Sequence, residues 1–360
     1  MDNIAGIRNK PDGAPGLLVA LLLFQVLLTA AHASQYSIPG VRLVGRFVVQ
    51  GSHATFEWPG STIEIAFEGT RLEVELDDTG ANSMVVDIDG VTTRIDLQQG
   101  RHTYPIIVSE AAGQHLVRLV RRTESRFGPT ILRSIRADGP LLPPPARKHS
   151  LLVIGDSIAA GYGVEGKDTS CSFSPDTENQ YLTYAAMAGR RLDADVVTLA
   201  SSGRGLVRNY DGSTHGTMGD LYGRPRPSQP AVEPLPATDI VVIHLGTNDF
   251  GGGARPADFA TRYSDLLAHL RGINPTAMIY AAAGPLLGGD DHTALLAAID
   301  EAIALRKAHG DDNLTRLVFT DPPDTPSRGC DWHPNVAGQQ FMAEQLAMQI
   351  TQDLGWMELK

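Results

Sequence analysis

Hydrophobic and polar positions change their rhythm near the middle of the chain. Between residues 36 and about 140 they alternate singly, as in Thr62-Ile63-Glu64-Ile65-Ala66-Phe67, Arg71-Leu72-Glu73-Val74-Glu75-Leu76 and Met84-Val85-Val86-Asp87-Ile88-Asp89. The alternation recurs over 103–108 and 116–120. A period of two sends successive side chains to opposite faces of a strand, so one face is buried. Gly60, Gly69, Gly80, Gly90, Gly100 and Gly113 interrupt these runs at nearly even intervals, and Asp89-Gly90 is a hairpin-turn pair. The pattern predicts a small all-β sandwich or jelly roll over 36–140. Asp87-x-Asp89-Gly90 lies inside this alternation and lacks the later ligands of a calcium loop, so it reads as strand and turn.

From Ser150 onward, continuous apolar runs replace the alternation, at 151–154, 196–200, 240–245, 278–283 and 317–319. Such runs belong to strands covered on both faces. Helical stretches near 179–192, 257–271, 293–308 and 336–353 separate them. Strands alternating with helices predict an α/β domain over 149–360, a parallel sheet between two helical layers. Between the two regions, Gly139-Pro140 and Pro143-Pro144-Pro145 predict a stiff, extended linker over 141–148. It is expected to hold the two domains at a fairly fixed distance.

The N-terminus adds a compartment. Arg8 and Lys10 precede an apolar run from Leu17 to Ala31, and Ala31-His32-Ala33 has the small-x-small form of a cleavage site. Residues 1–33 therefore read as a signal peptide, which predicts a secreted or periplasmic protein. An uncleaved anchor is the other reading, although the run is shorter than the ~20 residues of a spanning helix. Removing 1–33 leaves the net charge at −11, because Asp2 and Asp12 cancel Arg8 and Lys10. An acidic chain argues against nucleic acid or an anionic membrane as partner and suits a neutral substrate such as a sugar polymer. Cys171 and Cys330 are the two cysteines. In an oxidising compartment they are expected to pair and staple loops; the other reading is two buried thiols.

Three short segments follow apolar runs or precede a helix, and each carries a different part of acyl-transfer chemistry. Gly155-Asp156-Ser157 ends the run 151–154 and offers a serine nucleophile on a tight turn. Gly246-Thr247-Asn248-Asp249 ends the run 240–245, and the Asn248 amide can donate to an oxyanion without titrating. His333-Pro334-Asn335 offers His333 as base. Ser201-Ser202-Gly203-Arg204-Gly205 follows the run 196–200, and Gly203, or else Gly205, can bring a backbone N–H to the same oxyanion. His215, His244 and His292 are competing histidines, and Asp156 and Asp249 are expected to tie loops to backbone N–H groups. Asp290-Asp291-His292 reads as a solvated loop leading into a helix. Parallel α/β sheets place such residues beyond the C-terminal strand ends.

In this order, the blocks Gly155-Asp156-Ser157, Gly203, Gly246-x-Asn248-Asp249 and His333 resemble those of the SGNH/GDSL hydrolases. An N-terminal β domain ahead of such a domain resembles carbohydrate esterase family 2 more closely. So do Phe173-Ser174-Pro175-x-Thr177-Glu178-Asn179, Gly203-Arg204-Gly205 and Gly329-Cys330-Asp331-Trp332-His333-Pro334-Asn335. The resemblance runs from about 36 to 355. It implies Ser157 as nucleophile, His333 as base, and an oxyanion hole of the Ser157 N–H, the Gly203 N–H and the Asn248 side chain. It also implies removal of O-acetyl groups from plant polysaccharides such as xylan and glucomannan, with no metal or organic cofactor.

One position departs from the wider superfamily. The usual third triad member, an Asp three residues before the His, is here Cys330. Either a main-chain carbonyl orients the imidazole, as described for some members of the subgroup, or Asp331 or Asp324 reaches the ring. Trp332 is a candidate sugar platform or a loop anchor, and Tyr162 and Arg204 are candidates to line the acyl or sugar site. Two other readings remain: a carbohydrate-binding protein with a vestigial esterase domain, and an esterase of lipid, thioester or peptidoglycan O-acetyl groups.

Overall fold

A computed structural model describes residues 40–107 and 111–359. The expected signal peptide lies outside these residues. The alternating region forms ten strands: β1 (Val41–Val44), β2 (Val48–Gln50), β3 (His53–Phe56), β4 (Thr62–Gly69), β5 (Arg71–Asp78), β6 (Ser83–Ile88), β7 (Val91–Asp96), β8 (Gly100–Ile107), β9 (Gly113–Arg121) and β10 (Thr130–Ala137). They make two antiparallel sheets, ordered β1-β4-β9-β6-β7 and β2-β3-β10-β5-β8. Their inward residues, among them Ile63, Ile65 and Phe67 from one sheet and Leu72, Val74 and Leu76 from the other, form a single core. Asp89 and Gly90 both take positive φ, 52° and 91°, as a two-residue hairpin between twisted strands requires.

Part of the expected linker pairs with the sandwich. Leu141–Leu142 forms a short strand, β11, on the edge of β4, and Pro140 O accepts from Glu68 N at 3.0 Å. The β domain and the following domain touch directly. Trp58 Nε1 donates to Arg224 O at 3.0 Å, Arg46 donates to Pro234 O at 2.6 Å, and Gln180 N donates to Arg122 O at 3.0 Å. The prolines thus end the sandwich while other contacts join the domains.

The second domain contains β12 (His149–Gly155), α1 (Ser157–Ala160), α2 (Tyr184–Arg191), β13 (Ala194–Ala200), α3 (Met218–Leu221), β14 (Ile240–His244), α4 (Thr247–Phe250), α5 (Phe259–Ile273), β15 (Met278–Ala283), α6 (Gly289–Lys307), β16 (Leu314–Val318) and α7 (Val336–Leu354). The sheet is parallel, in the order β13-β12-β14-β15-β16. Leu152, Ile154, Val241 and Ile243 pack with α5 and α6 on one face. Leu151, Val153, Ile240 and Val242 pack with α2 and α7 on the other. This is the expected three-layer α/β/α arrangement. Each such buried aliphatic side chain contributes about 1.5–3 kcal/mol, which is why the four-residue run at 151–154 can anchor β12 between β13 and β14.

Two details differ from expectation. Asp290, Asp291 and His292 are not a loop but the first turn of α6, where acidic side chains meet unpaired N–H groups favourably. The expected helix over 179–192 is α2 preceded by a separate 3-10 turn, Gln180–Leu182.

Candidate active site

Ser157 sits two residues past strand β12, at the start of α1. The turn is sharp because Gly155 lacks a side chain: a Cβ there would lie 2.6 Å from Ala159 Cβ. Asp156 caps α1 by accepting from Ile158 N at 3.0 Å, and Gly161, with φ 85°, ends the helix after one turn. His333 arrives from the other end of the chain. Asn335 caps α7 by accepting from Gly338 N, and its amide donates to Pro326 O and Arg328 O, which fixes the His333 loop. His333 Nε2 stands 2.8 Å from Ser157 Oγ, and Nδ1 stands 3.1 Å from the main-chain oxygen of Asp331.

The Asp331 carboxylate is engaged elsewhere. Its Oδ2 accepts from Tyr162 OH at 2.8 Å and from Phe173 N at 3.0 Å. Asp331 and Trp332 both have positive φ, 50° and 65°. Backbone strain of this kind costs on the order of 1–2 kcal/mol for a non-glycine residue. Here it is sustained by a disulfide between Cys171 and Cys330, with Cα atoms 4.7 Å apart, and by Asp331 N donating to Cys171 O. Gly163 and Gly166 leave room for it: a Cβ on either would lie within 3 Å of Cys330.

A stack of rings backs the imidazole. Tyr162 lies 4.1 Å from His333 and 4.1 Å from Phe173, Phe127 of the β domain lies 6.1 Å beyond, and the Arg126 guanidinium covers Phe173 at 5.5 Å. Burial among these groups pulls the His333 pKa down to about 4, against the smaller raising effect of its contact with Asp331. A hydrogen bond that keeps a proton on Nδ1 leaves Nε2 free to accept. His244, by contrast, is buried in the core between Gly284 O and Tyr184 OH, and its pKa is also pulled down to about 4 by burial.

Candidate donors for an oxyanion lie on the Ser157 turn and on the loops that follow β13 and β14. Among the described residues, neither the Ser157 N–H nor the Gly203 N–H has a protein acceptor. The Gly205 N–H is already directed to Asn209 Oδ1, at 3.3 Å. Gly203 takes φ 75°. The Asn248 amide donates to Arg204 O at 3.0 Å and at a longer 3.3 Å to Asp156 Oδ2. Asp249 accepts from the N–H groups of Leu206, Val207 and Arg208, tying the Gly203 loop to β14's end. Burial and the nearby Asp249 push the Asp156 pKa up to about 7.

Trp332 is exposed beside His333, whereas Tyr162 is half-buried and backs the imidazole, and Arg204 meets Asn248 through its carbonyl. Several neighbours had no signal in the local pattern. Tyr210 is exposed, and its N–H donates to Gly203 O at 2.8 Å. Phe127 and Arg126 come from the β9–β10 loop, which only the tertiary fold brings here.

Comparisons with known proteins identify the family. The GDSL-like lipase/acylhydrolase family matches residues 153–341, and the carbohydrate esterase 2 N-terminal family matches 43–145. A cellulase/esterase of Acetivibrio thermocellus is 32% identical over 88% of this chain, which spans 40% of that protein's length. An acetylxylan esterase / glucomannan deacetylase of Cellvibrio japonicus is 27% identical over 92% of this chain and 94% of its own. The structure of a family two carbohydrate esterase from Clostridium thermocellum in complex with cellohexaose superimposes with a TM-score of 0.84, at 31% identity, covering 88% of this chain and 100% of that one. The chain belongs to the GDSL-like hydrolases and, within them, to the family 2 carbohydrate esterases.

Proposed function

We propose that the protein is a secreted O-acetyl esterase of plant cell-wall polysaccharides, working through a Ser157–His333 dyad. The observation that carries the reading is the 2.8 Å contact between Ser157 Oγ and His333 Nε2; the unpartnered N–H groups of Ser157 and Gly203 and the Asn248 amide support it. Ser157 Oγ attacks the acetyl carbonyl while His333 Nε2 takes its proton. The oxyanion is met by the N–H groups of Ser157 and Gly203 and by Asn248, which exchanges its long contact to Asp156 for it. Collapse breaks the ester bond, the sugar hydroxyl leaves with the proton held by His333, and the acyl group stays on Ser157. Water, deprotonated by His333, then releases acetate. The Asp331 carbonyl holds the Nδ1 proton throughout, the part a carboxylate plays in a triad.

Xylan and glucomannan as substrates rest on the names of the Cellvibrio relative, and the exposed Trp332 face suits a pyranose ring. Secretion rests on the leader-like residues 1–33. A p-nitrophenyl ester chain-length series tests the acyl preference. Activity confined to acetyl, and absent from Ser157→Ala, is expected; activity that rises with chain length would make the protein an esterase of longer acyl groups instead.

A further inference from the structure

The oxyanion loop is held from the other domain. Glu124 lies in the β9–β10 loop of the sandwich and is 1% exposed. Its Oε2 accepts the N–H of Ser202, the residue before Gly203, at 2.7 Å. The loop that carries Glu124 is itself fixed. The fully buried Arg121 guanidinium donates to Thr123 O, Glu124 O and Gly128 O, and Glu124 N donates to Glu178 Oε2 at 3.2 Å. On the catalytic side, Asp249 fixes the segment that follows Gly203, through Leu206, Val207 and Arg208. Gly203 thus sits between two carboxyl anchors, one on each side in sequence and one from each domain. Gly203 is in a left-handed conformation and its N–H is unpaired; its own carbonyl accepts from Tyr210 N at 2.8 Å, and the Ser202 contact to Glu124 fixes the peptide on its N-terminal side.

We propose that Glu124 is a positioning residue for the oxyanion hole: the β domain completes the active site by holding Ser202, and through it the Gly203 N–H, at the place where the oxyanion forms. This rests on the esterase reading above. What Glu124 supplies is an acceptor oxygen, which a glutamine also has. Burial raises its pKa, and a protonated carboxyl keeps the same carbonyl oxygen toward Ser202.

Full-length Glu124→Gln, Glu124→Leu and Glu124→Asp are compared with wild type on p-nitrophenyl acetate. Misplacing a catalytic group by about 1 Å costs on the order of 100-fold, so Leu and Asp, which cannot place an acceptor at Ser202, are expected to lower kcat by about 10- to 100-fold. KM stays nearly unchanged, and Gln retains kcat within about threefold. The Asp variant keeps a carboxylate and serves where the Leu variant does not fold. Wild-type kcat in Leu or Asp, a loss carried by KM alone, or a loss in Gln as large as in Leu would overturn the proposal. Wild-type protein inactive on the ester would instead overturn the esterase reading itself.

Discussion

The most discriminating substitution near His333 is Asp331→Asn. If the Asp331 carboxylate oriented the imidazole, its replacement by an amide would cost about 10⁴-fold in kcat, the scale seen when a triad carboxylate becomes an amide. The structure predicts a far smaller loss. Nδ1 is bonded to the Asp331 carbonyl, which the substitution leaves in place. Both contacts of the side chain, from Tyr162 OH and Phe173 N, go to one oxygen, which the Asn oxygen can replace. Only the charge is lost, and charge-assisted hydrogen bonds are roughly twice as strong as neutral ones. With net contributions of about 1 kcal/mol per bond, the loop is weakened by about 1–2 kcal/mol. If about 1 kcal/mol of that reaches the barrier, kcat falls about fivefold. Asn also tolerates the positive φ at this position. Steady-state kinetics on p-nitrophenyl acetate, beside Asp331→Ala as the variant that loses both contacts, gives the answer. A drop of 10³-fold or more in Asp331→Asn would show that the carboxylate, and not the carbonyl, orients the base.

Other consequences follow from the same geometry. A neutral imidazole is the active form, so kcat/KM falls as pH drops through the His333 pKa, and the acid limb is expected near pH 4, below the ordinary histidine value. An acid limb at 6.5 or above would contradict the lowered His333 pKa. Cys171→Ser frees the Asp331–Trp332 turn from its covalent support, and loss of such a link typically costs about 2–5 kcal/mol. Thermal denaturation should show lower stability, with kcat reduced in parallel, and an unchanged kcat would separate the disulfide from the site. Trp332→Ala should raise KM for acetylated polysaccharide while leaving p-nitrophenyl acetate unaffected; equal effects on both would make Trp332 a loop anchor.

Much of the architecture is visible in the periodicity, because burial imposes it. Strands covered on both faces have few polar positions, so β12, β14 and β15 stand out, and single alternation marks β4, β5 and β6. The start of α6 is not visible in this way: Asp290 and Asp291 look solvated, yet the helix begins at Gly289. The order of Ser157, Gly203, Asn248 and His333 places the catalytic elements, since each lies beyond a strand end or at a helix start. Atom-level roles are another matter. Spacing alone cannot tell which oxygen of Asp331 meets His333; the positive φ values at 331 and 332 direct the side chain to Tyr162 and the carbonyl to the ring. Glu124 and Phe127 left no pattern because their contacts span the two domains, and such pairings depend on tertiary packing alone. The proline-rich stretch read as a spacer for the same reason: its pairing with β4 is long-range.

Acetate release from acetylated xylan and acetylated glucomannan, wild type beside Ser157→Ala, tests the central claim most directly. Release by wild type from at least one polymer, abolished in Ser157→Ala, is the predicted result. Folded wild-type protein that releases no acetate from either polymer, or Ser157→Ala that releases it as fast as wild type, would contradict it.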